Sequence, residues 1–343
     1  MVILATKQGR EIRVLEFKKY DVDLTNEKNF ELTIPTDLYR DDLAKGARIF
    51  VPNTEYGGTI GRLRVKTDED VVVVGGLSWR GMLYYKVIQP PPGQSHKRVS
   101  GELNSILRQL IVEAGLERLF YVPVIDTGIT LTNFQFDRYC TLYDGITKML
   151  NLVQQTYADA YRMDMKYIQG ENGEVGYIQL QALPVVDYSE TVELSQDSQL
   201  DFIIEQVRNG INHLILLGQG QLAERTVRHL YVNAAGKIVT SQTQTGVDEI
   251  CEIYDYASAE DIQTLITEGT KRLNERMNYE KFEMNAASMD ADIAIGDKIG
   301  GRDYITGIVC SDYITNKIYS IENGEEKIEY VIGGEKLDET IIE

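Results

Sequence analysis

Residues 1–92 carry a two-residue hydrophobic period. Phe30–Ile34 (FELTI) alternates apolar with polar, Arg48–Val51 is a short apolar run, and MVILATKQGREIRV opens the chain as a first strand. TIGRLRVKTDEDVVVVGG reads as a hairpin with Thr67–Asp70 as its polar turn, and Gly75-Gly76 permits a bulge or sharp bend. Short strands joined by tight turns predict a small barrel or sandwich that ends through Ser78-Trp79-Arg80-Gly81. Pro90-Pro91-Pro92-Gly93 cannot continue a sheet and marks a boundary.

The period then changes. Leu103, Ile106, Leu107, Leu110, Ile111 and Ala114 share one helical face, with Ser100 as the expected cap and Gly115 as the stop. A second helix is expected over Thr141–Thr156, with Tyr143, Ile146, Leu150 and Val153 inward. AYRMDMKYIQ and EVGYIQLQAL follow as a hairpin turning at Glu171-Asn172-Gly173. Beyond residue 186 the strand period returns in FIIEQV, INHLILLG and ERTVRHLYVN. A helix is expected from Ser258, where Ser-Ala-Glu-Asp resembles a capping box ahead of Ile262, Leu265, Ile266 and Leu273. Strands resume after Asp290, closing on a hairpin tipped by Asn323-Gly324.

The expected fold is therefore α+β, with two small β-barrel-like modules flanking an α+β module. The boundaries are 1–92 for the first barrel, 94–186 for the α+β module, and 187–245 with 283–335 for the second barrel. That barrel is interrupted by a helical insert at 246–282, and 336–343 form a tail. An internal duplication is expected, with 1–92 superposing on the second barrel.

Composition narrows the function. The chain has 343 residues with 35 Lys+Arg against 53 Asp+Glu, a net charge of −18 that disfavours nonspecific binding to nucleic-acid phosphates. It leaves open a surface past which nucleic acid slides without sticking. No apolar run is long enough for a membrane-spanning helix, and the N-terminus has no secretory signal pattern. Cys140, Cys251 and Cys310 are widely spaced and odd in number, as suits free thiols in a reducing compartment.

Candidate chemistry is sparse. Asp126-Thr127-Gly128 matches the core of aspartic-protease sites. A small residue should follow the glycine, though, and Ile129 stands there, so a turn is the expected role. His96, His213 and His229 are the only histidines, and no second metal ligand stands at short spacing from any of them. Asp290, Asp292 and Asp297 lack the glutamate that closes an EF-hand loop. Gly218-Gln219-Gly220 begins like a dinucleotide fingerprint but lacks the third glycine. The reading assigns no catalytic, cofactor-binding or metal residue, and no enzymatic activity.

Asn53-Thr54-Glu55-Tyr56-Gly57-Gly58, Leu77–Leu83 and Ile88–Gly93, followed by Val99–Asn104, resemble the N-terminal part of bacteriophage tail hub (tail-associated) proteins. The closing part, from Ile295-Gly296-Asp297 through Asn323-Gly324 to Gly333-Gly334, also resembles that family, which is similar to the baseplate hub of contractile-tailed phages. The resemblance implies a virion structural protein at the distal end of a phage or prophage tail tube, assembled in the host cytoplasm. It implies paired β-barrels, and a homotrimer whose six barrels match a sixfold tube. The implied partners are the distal tail or tube protein and the tape measure protein, with DNA as transient cargo. No cofactor is implied. Trp79 would be a buried anchor with its N–H bonded, and Arg80 would reach a carboxylate across a module boundary. Host recognition or wall hydrolysis would then sit on another protein. The alternatives are a hub of a related injection machine, a carbohydrate-binding module using some of the 21 tyrosines, or a wall-degrading tail protein.

Overall fold

The computed structural model describes residues 1–157, 160–170, 174–189, 193–194, 201–286, 293–302 and 305–333. They form two compact units, one from Met1–Asp201 with Met284–Ile332 and one from Phe202–Glu283.

The first unit opens with β1 (Ile3–Ala5), β2 (Glu11–Val14), β3 (Lys19–Asp23), β4 (Asn29–Pro35), β5 (Arg48–Phe50), β6 (Gly57–Lys66) and β7 (Val71–Ser78). Alternation builds the middle of this set: Tyr20, Val22, Phe30, Leu32 and Ile34 point inward while their neighbours stay partly exposed. Val71–Val74 are all buried, so β7 is covered on both faces. After β7 the chain turns into α1 (Trp79–Tyr84), a helix where the pattern predicts the end of a strand. Ser78 starts it by accepting the Gly81 amide at 3.2 Å.

Gly81 is required by close packing, because a Cβ there would lie 2.2 Å from the Lys28 carbonyl oxygen. Gly81→Ala is expected to cost about 1–3 kcal/mol as backbone and helix are forced apart. Urea unfolding followed by the emission of the single tryptophan, Trp79, measures this.

The α+β part follows as β8 (Arg98–Glu102), α2 (Leu103–Glu113), β9 (Phe120–Tyr121), β10 (Thr130–Gln135), α3 (Leu142–Thr156), β11 (Tyr161–Ile168) and β12 (Tyr177–Pro184). Both expected helices are present, and Gly115 ends α2 at φ +67°. The expected cap at Ser100 is corrected. Ser100 lies in β8 and accepts the Asn133 amide at 2.8 Å, while Glu102 caps the helix through the Asn104 and Ser105 amides. The hairpin tip at Glu171–Gly173 lies outside the described residues. One apolar core runs from Ile3, Phe50 and Trp79 through Leu103, Ile146 and Tyr167 to Leu180. Residues on both sides of the proline segment, such as Phe50 and Leu103, belong to this core.

The chain continues through β13 (Glu193–Leu194) and β14 (Asp201–Val207) into the second unit, and leaves it at β19 (Tyr279–Ala286). Then come β20 (Lys298–Arg302), β21 (Val309–Glu322) and β22 (Glu325–Ile332), the last two joined through Asn323 and Gly324 at φ 53° and 85°. β21 pairs antiparallel with β3, so the C-terminal hairpin extends the N-terminal sheet in the order β22-β21-β3-β4-β7-β6-β5-β1-β2. The expected α+β class holds, and the two barrel-like modules are not confirmed as closed barrels. Among the described residues β2 pairs only with β1, and the large sheet is an open path without barrel closure.

The second unit carries β15 (His213–Leu217), β16 (Val227–Val232), β17 (Ile238–Val239), β18 (Cys251–Asp255) and α4 (Ile262–Arg276). Its sheet order is β17-β16-β15-β18, with β18 parallel to β15. Within the span expected as a helical insert, β18 is thus a strand. The helix begins later than Ser258, because Asp261 is the cap, accepting the Thr264 amide at 2.7 Å. Leu265 and Leu273 of α4 pack with Leu214, Leu216, Leu230 and Val232 of the sheet.

Candidate functional site

The sequence features that mark the resemblance converge on one buried junction in the first unit. Asn53–Glu55 form the loop between β5 and β6. Its backbone bonds to β11 twice, through the Asn53 amide to the Tyr167 carbonyl (3.0 Å) and the Tyr167 amide to the Thr54 carbonyl (2.8 Å). Gly57 and Gly58 let the strands close behind it, since a Cβ on Gly58 would meet the Leu77 carbonyl oxygen at 2.1 Å.

Trp79 and Arg80 enter the junction from α1. Trp79 is fully buried and stacks on Tyr167 at 5.5 Å between ring centroids, and Tyr167 stacks in turn on Phe50 at 3.8 Å. Its indole Nε1 has no hydrogen-bond partner, which corrects the expected bonded N–H. Arg80 is 3% exposed and donates from Nε to Glu55 Oε2 at 2.9 Å and from Nη2 to the Met163 carbonyl at 3.4 Å. Burial alone would lower the guanidinium pKa, but Glu55 and the Tyr143 hydroxyl outweigh it and hold the group above its ordinary value. Arg80 therefore stays charged.

Two further arginines, Arg48 buried and Arg162 partly buried, act alike. Arg48 donates to the carbonyls of Gly176 (2.6 Å) and Lys7 (3.0 Å), joining β5, the residue before β12 and the turn after β1. Arg162 reaches Asp297 at 2.7 Å and Asp164 at 2.9 Å. Asp297 is wholly buried and also accepts the amides of Val186 and Ala294, each at 2.9 Å. That is the structural place of the Ile295-Gly296-Asp297 segment. Asp290 and Asp292 lie outside the described residues.

The other candidates occupy structural positions. Asp126 Oδ1 accepts the Gly128 amide at 2.8 Å in an exposed turn, with Gly128 at φ +75°. Thr127 donates from Oγ1 to Glu102 at 2.8 Å. Burial would raise the Glu102 pKa, but hydrogen bonds from Asn104, Thr127 and Ser105 outweigh it and hold the carboxyl below its ordinary range. Glu102→Gln is expected to cost about 1 kcal/mol at neutral pH, as for a lost N-cap. With the folded pKa below the unfolded one, this stabilisation is full above the unfolded value and is lost as pH falls through the folded one. Wild type and variant should therefore converge below about pH 4 in urea titrations.

Gly218-Gln219-Gly220 joins β15 to a short 3-10 turn at Leu222–Glu224 and opens no α-helix. A recess of about 160 Å³ lies beside it, lined by Thr226, Asp261 and Leu265, with Asp261 committed to capping α4. His96 lies in the loop before β8. His213 and His229, sixteen residues apart, meet across the β15–β16 ladder, their Nε2 and Nδ1 atoms 2.8 Å apart. Sequence spacing gave no sign of this pair, because only the strand register brings it together. Among the described residues no group of three or more His, Cys, Asp and Glu side chains is placed to hold a metal ion.

No family model and no curated protein sequence matches the chain. Solved structures do. The 43 kDa tail protein of prophage MuSo2 from Shewanella oneidensis aligns with a TM-score of 0.56 at 12% identity, over 96% of this chain and 98% of that one. The tail protein from Neisseria meningitidis MC58 aligns with a TM-score of 0.52 at 14% identity, over 97% and 96% respectively. The chain has the fold of these phage tail proteins.

Proposed function

We propose that this chain is a structural protein of a phage or prophage tail, acting as the hub at the distal end of the tail tube. The observation that carries the reading is the fold likeness to two tail proteins over at least 96% of both partners in each comparison. The junction supports it: the charged groups of Arg48, Arg80 and Arg162 are spent on internal bonds, which suits a load-bearing part more than a reaction centre. In this reading three copies surround an axis and present an acidic channel to DNA. The net charge of −18 supplies the motive, since basic walls would hold phosphates and slow DNA exit. Screening over about 8 Å confines the effect to side chains facing a narrow channel. Tube and tape measure proteins would be its neighbours, and assembly would take place in the host cytoplasm before incorporation into the virion tail.

The test is co-assembly with the neighbouring tail proteins, imaged by cryo-electron microscopy. A threefold ring with an acidic lumen is expected. Another subunit number, or a basic channel that retains duplex DNA, overturns the assignment. The same reading assigns no catalysis to Asp126. Acid-pH peptide cleavage by purified protein that disappears in Asp126→Asn would refute that part.

A further inference from the structure

We propose that His213 and His229 form a two-histidine binding site for a divalent transition-metal ion on the open face of the second unit's sheet. The two side chains come from adjacent antiparallel strands, with His229 in register opposite Ile215, two residues from His213. Residues two apart on a strand share a face, so both rings stand on the side of the sheet away from Leu214 and Leu216. Their nitrogens, Nε2 of His213 and Nδ1 of His229, are 2.8 Å apart.

That spacing matches two neighbouring ligands of one ion; the nitrogens now face each other across the contact, and the exposed His229 ring turns aside so that both lone pairs converge on the ion. With metal–nitrogen bonds of about 2.0–2.1 Å, two ligands at a right angle sit about 2.9 Å apart. Right-angled pairs belong to octahedral or square-planar ions such as Ni²⁺ and Cu²⁺, whereas tetrahedral Zn²⁺ would need the rings to part by about half an ångström.

The surroundings orient the first ligand. His213 Nδ1 lies 2.7 Å from Glu249 Oε1, so the carboxylate holds the ring proton on Nδ1 and leaves the Nε2 lone pair facing His229. His213 is 6% exposed and stacks on Tyr231 at 4.3 Å, which fixes the ring plane. Without metal, His229 Nδ1–H donates to that lone pair. To bind, His229 moves its proton from Nδ1 to Nε2 through solvent, for which its exposed ring is placed, and presents a second lone pair. Cys251 stands opposite His213 in the β15–β18 register, but its sulfur turns to the Glu252 carbonyl at 3.7 Å and is not counted as a ligand. Water would fill the remaining positions of an open site.

The test is Ni²⁺ titration of the full chain, purified without a histidine tag, by calorimetry and by histidine-ring NMR. Three histidines make the spectrum simple. The expected result is one ion per chain, broadening the His213 and His229 resonances before that of His96. His229→Ala, which touches only an exposed side chain, should weaken binding at least tenfold. Glu249→Gln should weaken it about tenfold or more by releasing the His213 ring. His96→Ala should leave it unchanged. Absence of saturable binding up to about 1 mM Ni²⁺, or an affinity unaltered in His229→Ala, overturns the site.

Discussion

Glu55→Ala will destabilise the first unit by about 3–5 kcal/mol, the cost of removing one partner from a buried ion pair. Arg80 and Glu55 have side chains only 3% and 9% exposed, so truncating the carboxylate strands a guanidinium among Trp79, Met163 and Tyr143 with little water to replace its partner. The converse experiment separates pair energy from packing. Replacing both residues, as Arg80→Met with Glu55→Leu, removes the unpaired charge and should restore most of the loss, because two desolvation penalties vanish together. The two variants and the wild type can be compared in urea through the emission of the single tryptophan, which reports this junction directly. A Glu55→Ala cost below about 1 kcal/mol would mean that the pair is open to solvent and does not lock α1 to the loop before β6.

The second large effect is expected at Trp79. Trp79→Ala removes a fully buried ring stacked on Tyr167 and should cost about 3–5 kcal/mol. Trp79→Phe should cost only about 1–2 kcal/mol. The indole N–H has no partner, so its loss sacrifices no hydrogen bond and removes a buried, unsatisfied donor. Circular dichroism in urea measures both, since the fluorophore itself is gone. Equal costs for the two variants would show that the N–H is bonded and that shape is secondary.

Local chemistry was legible along the chain. The buried faces of α2 and α3, the Asn323-Gly324 turn and the alternation of β3 and β4 follow from periodicity and turn chemistry, which act between residues close in sequence. The order of short segments, from the Asn53–Gly58 loop through the C-terminal hairpin, already resembled tail hub proteins. Helix starts were less legible. Ser100, Glu102, Ser258 and Asp261 are all competent caps, and the choice falls to the side chain that the neighbouring strand or turn leaves free.

What only the tertiary structure decided was which distant segments share a surface. The sequence by itself determined the helices α2 and α3, the alternation of β3 and β4 and the acidity, because these depend on side chains and their near neighbours, while the burial of Trp79 and Arg80 was implied by the resemblance. It did not determine that β21 adds to β3, making an open sheet where two barrels were expected. Nor did it determine that Arg162 finds Asp297, or that His213 and His229 face one another. Strand pairing and charge pairing between remote residues depend on register. A shift of one residue would send each of these side chains to the opposite face, so no local pattern can encode the partner.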